Sequence, residues 1–137
     1  MKYINDIVKI LSNNKNIIFA YLFGSRIKNK IRLGSDLDLA IYFATEPDIL
    51  EIGELCNELE NAININIDLV MLNDLFLQNP QLSYNILNDG TLIYSKDDES
   101  LSNYKKRVLL EYLDIKPILD MFHNKFIERL SNNKFAV

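Results

Sequence analysis

Two aspartates one residue apart, Asp36 and Asp38, open the apolar run LDLAIYF, and a glycine–serine pair, Gly24-Ser25, closes the apolar run before it. Side chains alternate across a strand, so Asp36 and Asp38 point to one face if this run is β-structure. Carboxylates held about 4 Å apart repel by about 4 kcal/mol at an effective dielectric near 20, and a cation between them relieves that cost. Hard oxygen ligands, few in number, suit Mg²⁺ that keeps waters and phosphate oxygens. Glycine lets backbone approach a ligand closely, and Ser25 adds a hydroxyl beside amide donors. Gly24-Ser25 alone reads as a turn. Paired with Asp-x-Asp at a neighbouring strand end, it becomes a phosphate cradle facing a metal site, which is the layout needed for nucleotidyl transfer. A third acid, Asp68, is the lone charge in NINIDLVML, residues 64–72. Read as a buried strand residue it must be paired, metal-bound or protonated, or else bonded at a strand end to a backbone amide.

The elements that must position these groups follow from periodicity. Ile4, Ile7, Val8 and Leu11 give residues 1–11 the spacing of a one-faced helix, stopped by Ser12-Asn13-Asn14. Residues 17–23 and 36–43 read as strands, with a polar helix or turn over 26–32 and a turn at Leu33-Gly34 between them. Pro47 suits the first turn of a second helix with Thr45 as cap, buried through Ile49, Ile52, Leu55, Cys56 and Leu59 as far as about residue 61. Strand 64–72 follows, then short helices over 73–78 and 80–88 ended by Asn88-Asp89-Gly90, and a strand over 91–94. Residues 95–102 are polar and linker-like. From Leu101 through Tyr104, Val108, Tyr112, Ile115, Leu119, Phe122, Phe126 and Leu130 an apolar stripe steps by three or four residues, predicting a long helix or helix pair kinked or broken near Pro117. Its breadth calls for cover from the chain's own core or from a partner subunit. His123 beside it has no nucleophile pattern near it and reads as a surface or packing residue. The division is therefore a core over residues 1–94 and a helical extension over 95–137, within one α+β domain holding a mixed sheet of three to four strands.

Composition narrows the classes. The chain has 137 residues, 48% apolar and 25% charged, an ordinary balance for a single domain in water. A net charge of −4 disfavours direct nucleic-acid binding, which normally brings a basic stripe. Cys56 is the lone cysteine, so neither a disulfide framework nor a zinc cluster is expected. No apolar run has the length of a membrane span and the N-terminus lacks a signal-peptide layout, so a cytoplasmic location is expected.

With these residues on the page, FGS…SDLDLAIYF resembles the signature of the DNA polymerase β-like nucleotidyltransferase superfamily. At this length the chain is most similar to the minimal nucleotidyltransferase (MNT) antitoxins encoded beside HEPN-domain toxins. The family pattern is Gly-Ser, a spacer, Asp-x-Asp and a third carboxylate on a later strand in an Asp-Leu-Val context, all of which are present. The resemblance implies a palm-like core and two Mg²⁺ ions held by Asp36, Asp38 and Asp68, with Asp38 as the bridge and Asp68 also assisting as base. It further implies that Gly24 and Ser25 hold the β- and γ-phosphates of ATP, with Arg26, Lys28 or Lys30 neutralising phosphate charge; spacing does not choose among the three. The implied partner is a HEPN ribonuclease toxin, bound through the C-terminal helices in a hetero-oligomer and silenced by AMP on a tyrosine hydroxyl. Two alternatives stay open at this level: an antitoxin that acts only by stoichiometric binding, and a dimeric nucleotidyltransferase for an aminoglycoside-type small molecule.

Overall fold

The computed structural model describes residues 2–24 and 36–135, with the side chains of 2, 118 and 126–135 outside that description. Helix α1 spans Lys2–Ser12 and buries Ile7 and Leu11 fully, as their spacing requires. Strands β1 (Ile17–Phe23) and β2 (Leu37–Phe43) pair antiparallel, and β3 (Ile67–Met71) joins β2 in parallel. β4 (Thr91–Ser95) pairs antiparallel with β1, giving a four-stranded mixed sheet in the order β3-β2-β1-β4. The continuous apolar run of β1 is explained by its central place, with both faces covered. The helix or turn expected over 26–32 and the turn at Leu33-Gly34 lie outside the described residues.

Each sheet face has its own core. Leu37, Leu39, Ile41 and Phe43 of β2 pack with α1 and with Leu55 and Leu59 of α2 (Ile49–Ile63). The opposite face gathers Phe19, Tyr21 and Ala40 with Phe76 of α3 (Leu75–Gln78), Ile86 of α4 (Pro80–Asp89) and Leu101, Tyr104 and Val108 of α5 (Asp98–Phe135). Tyr104 centres this second core. Its ring lies 5.5 Å from Phe19, 5.2 Å from Tyr42 and 5.8 Å from Phe76, and its hydroxyl donates to the carbonyl of buried Leu72 at 2.6 Å.

Several local expectations are corrected. The cap of α2 is Asp48, whose carboxylate accepts the Glu51 amide at 2.8 Å, and the Thr45 amide donates instead to Asn16 Oδ1. Pro47 therefore precedes the helix, and a carboxylate outcompetes a hydroxyl at the positive helix end. Ile49, placed in the buried stripe, is 85% exposed; the stripe starts a turn later and Cys56 is only half-buried. The linker over 95–102 shrinks to Lys96 and Asp97, because Asp97 Oδ1 accepts the amides of Glu99 and Ser100 and starts α5 there. α5 is one helix of 38 residues and runs through Pro117 without a break. Proline removes a single backbone donor, and the Leu113 carbonyl it orphans lies on an exposed turn where water serves.

The apolar stripe of α5 divides. Leu101, Tyr104 and Val108 are buried and Tyr112 stacks on Tyr84 at 4.0 Å, whereas Leu109, Leu110, Leu113, Met121 and Phe122 are exposed, Leu110 at 64% and Phe122 at 62%. His123 is exposed, in keeping with a surface role, and the side chains of Phe126 and Leu130 lie outside the described ones. Among the described residues no helix is long and apolar enough to cross a membrane.

Burial pushes the Tyr104 phenol far above its ordinary value of 10.0. A folded-state value raised above the unfolded one contributes stability that is complete below pH 10 and is lost as pH rises beyond it. Tyr104→Phe leaves the Leu72 carbonyl with the longer bond from the Leu75 amide at 3.3 Å and should cost about 1 kcal/mol in urea unfolding near pH 7. The same variant should lose stability less steeply than wild type between about pH 10 and 11. Equal slopes would show that Tyr104 does not carry the alkaline transition.

Candidate active site

The strand directions put the singled-out residues at one end of the sheet. β1 runs towards Gly24, and β2 and β3 both start beside it, because β1/β2 is antiparallel and β2/β3 is parallel. In register, Phe23 faces Asp38 and Asp38 faces Asp68. Neighbouring strands lie about 4.8 Å apart, so the Asp38 and Asp68 backbones are well within a nanometre. Asp38 alternates with Ala40 and Tyr42, and Asp68 with Val70, so both acids are on the sheet face that carries α3, α4 and α5. Asp36 precedes the first residue of β2 and is exposed.

Gly24 explains itself sterically. Its φ is +92°, and a Cβ built there would lie 2.2 Å from Asp38 Oδ2 and 3.1 Å from Asp38 Cγ. The Asp38 carboxylate fills the space in which any side chain at position 24 would stand. Asp38 is half-buried there, while Asp68 is exposed. The expectation that Asp68 is a buried carboxylate is thus corrected: among the described strands β3 lies at the sheet edge, and the Asp68 side chain is exposed there. Among the described residues no three His, Cys, Asp or Glu side chains are gathered closely enough to hold a metal ion. Ser25, Arg26, Lys28 and Lys30 lie outside the described residues.

The backbone around the acids is fastened by contacts that residue spacing did not single out. The Leu37 amide donates to the Asn66 carbonyl at 2.8 Å, tying the start of β2 to β3. The Ile67 amide donates to Glu60 Oε2 of α2 at 3.0 Å. The far ends are clasped by Asn73, which accepts from the Phe43 amide and donates to the Phe43 carbonyl. Burial first, and then the negative charges of Glu60 and Asp68, push the Cys56 thiol above its ordinary value. The one sequence signal for Glu60 is a charge four residues after Cys56, on the half-buried flank of α2. A cavity of about 500 Å³ lined by Tyr42, Asp74, Phe76, Asn103 and Arg107 opens at the other end of β2 and holds none of the acids at issue.

Gly24, Asp38 and Asp68 thus meet at one end of the sheet, with Asp36 two residues before Asp38. The chain belongs to the polymerase beta nucleotidyltransferase family, whose pattern matches residues 5–99. Protein adenylyltransferase MntA of Shewanella oneidensis is 31% identical to it over 98 residues, 69% of this chain and 68% of MntA. A crystal structure of a toxin–antitoxin with AMP-PNP matches with a TM-score of 0.70 at 21% identity, over 90% of this chain and 98% of that one. A tri-AMPylated Shewanella oneidensis HEPN toxin in complex with MNT antitoxin matches with a TM-score of 0.66 at 21% identity, over 92% and 97%. The α+β reading and the resemblance to the minimal nucleotidyltransferase antitoxins are borne out.

Gly24→Ala should destabilise the fold by about 1–3 kcal/mol, since it adds positive-φ strain to the clash with Asp38. Combining it with Asp38→Ala removes the clash but not the strain, so urea unfolding should give a double-variant cost below the sum of the singles. Strict additivity would mean that the two residues do not share the space.

Proposed function

We propose that this chain is the antitoxin of a HEPN toxin and transfers AMP from ATP to a tyrosine hydroxyl of that toxin, with Mg²⁺ as the metal. The observation that carries the reading is the row Phe23–Asp38–Asp68 with the Asp38 carboxylate seated over Gly24. The names of the relatives support the reaction, and the AMP-PNP and AMPylated-toxin complexes of its structural neighbours support ATP and a HEPN acceptor. In this reading residues 1–94 form the catalytic core and 95–137 the helical extension.

The donor set suits magnesium: three hard carboxylates at the ends of adjacent strands, two of them on exposed side chains that can turn without repacking. Asp36, Asp38 and Asp68 would hold it. When bound, two Mg²⁺ ions neutralise the triphosphate and acidify the attacking hydroxyl. Asp38, half-buried over Gly24 while Asp36 and Asp68 are exposed, would be the ligand the two ions share. Gly24 leaves its backbone open to the β- and γ-phosphates, with Ser25 and Arg26 completing the cradle. The tyrosine oxygen attacks the α-phosphorus, the bond to the bridging oxygen breaks, and pyrophosphate leaves in line. Asp68, exposed at the outer strand, receives the tyrosine proton.

The acceptor arrives as a protein. A chain carrying net charge −4 is a poor host for RNA, whereas Leu109, Leu110, Leu113, Met121 and Phe122 expose apolar surface along α5. Exposed apolar helix faces of this breadth mark protein contacts, so α5 is read as the toxin-binding element of a hetero-oligomer in the cytoplasm.

Co-expression with the proposed HEPN partner, followed by intact-mass measurement, tests the proposal. With ATP and Mg²⁺ the partner should gain AMP, and changing its acceptor tyrosine to phenylalanine should abolish the gain. Asp38→Asn should lower transfer by several orders of magnitude, while its melting temperature in metal-free buffer stays the same or rises through relief of like-charge repulsion. Neutralisation of the toxin with no AMP adduct would point to inhibition by binding alone and overturn the catalytic reading.

A further inference from the structure

We infer that Glu60 is a positioning residue for this site: its carboxylate holds the first amide of β3 and so fixes Asp68 beside Asp38. The inference deepens the proposed function and rests on Asp68 being a metal-site ligand.

β3 has five residues and β2 as its single strand partner. The C=O and N–H of one trans peptide group point in opposite directions across a strand. The Asn66 carbonyl points to β2, where the Leu37 amide takes it, so the Ile67 amide points to the open edge. Left there, it would be served by water, and the start of the strand would fray. Glu60 Oε2 accepts it instead, at 3.0 Å. The reach is built into the end of α2: Asn64 adopts a left-handed φ of 58° and its amide caps the Glu60 carbonyl, so the chain reverses and returns residue 67 alongside the last turn. Glu60 therefore grips both ends of the reversal, through its carbonyl and its carboxylate.

The consequence falls on Asp68, the next residue. Its side chain is exposed, so the strand backbone sets where its carboxylate starts from. The hydrogen bond from the preceding amide to the Glu60 side chain is the contact that holds that backbone on its outer side. Supporting contacts of this kind orient metal ligands, and removing them typically weakens metal binding by about 10–100-fold.

Three substitutions separate the hydrogen bond from the charge. Glu60→Gln keeps the acceptor oxygen and drops the charge; Glu60→Asp keeps the charge and is one methylene too short; Glu60→Ala loses both. Mn²⁺ affinity of the full chain in the presence of AMP-PNP, read by calorimetry well below each melting temperature, should be near wild type for Glu60→Gln. It should be weakened about tenfold or more for Glu60→Asp and Glu60→Ala. Amide exchange at Ile67 should accelerate in the same two variants. If Glu60→Asp binds Mn²⁺ as wild type does, the positioning role is overturned; if Glu60→Gln is as weak as Glu60→Ala, charge is the cause and the inference fails. Asp68→Asn is the control that separates the two levels. Wild-type Mn²⁺ binding by that variant would remove the metal assignment itself, and this inference with it.

Discussion

The site turns on one exclusion of volume: the Asp38 carboxylate stands where a side chain on Gly24 would have to be. Because β1 and β2 are antiparallel neighbours, the end of one and the start of the other must meet, and only a residue without Cβ leaves room for an acid between them. The φ of Gly24, +92°, is one that a residue with a side chain rarely adopts. One glycine thus answers two demands, close packing against a carboxylate and a left-handed backbone.

Around that contact the two faces of the sheet divide the labour. The face under α1 and α2 is apolar along the length of β2, from Leu37 to Phe43, and supplies rigidity. The other face changes character along the same strand, from the aromatic cluster of Phe19, Tyr42, Phe76 and Tyr104 to the acids Asp38 and Asp68. Acids at a sheet end keep access to water and to a cation; the same acids in mid-sheet would carry the full desolvation penalty. The aromatic end anchors α5, with Arg107 lying 4.6 Å above the Phe76 ring on the outer side. The helix is then free to project its later turns from a fixed base.

That projection divides the helix. The buried turns of α5 belong to the core by packing, while Leu110, Leu113, Met121 and Phe122 continue the stripe into solvent. A helix whose first part is held by a core has its ordering entropy already spent in folding, and the proposed docking of a toxin along α5 would draw on that saving.

The sequence by itself determined what local periodicity and residue chemistry encode. These are four strands, the helices between them, Gly24-Ser25 and Asp36-x-Asp38 at strand ends, and Asp68 on the strand beside them. Strand alternation and the apolar runs act over a few residues, so they are legible without the fold. Only the tertiary structure decided that Asp68 is exposed, because exposure depends on β3 being an edge strand, which no residue of β3 specifies. The same holds for Glu60, whose partner Ile67 is brought back to it by the left-handed turn at Asn64, and for α2, whose Asp48 took the cap while Asn16 claimed the Thr45 amide. Of the two forms the C-terminal stripe allowed, one long helix or a broken pair, the structure takes the single helix, and of the polar residues 95–102 those from Asp98 on form its first turn instead of a linker. Helix breaking and linker character are weak local propensities, and an exposed carbonyl in one case and an Asp97 cap in the other were enough to override them.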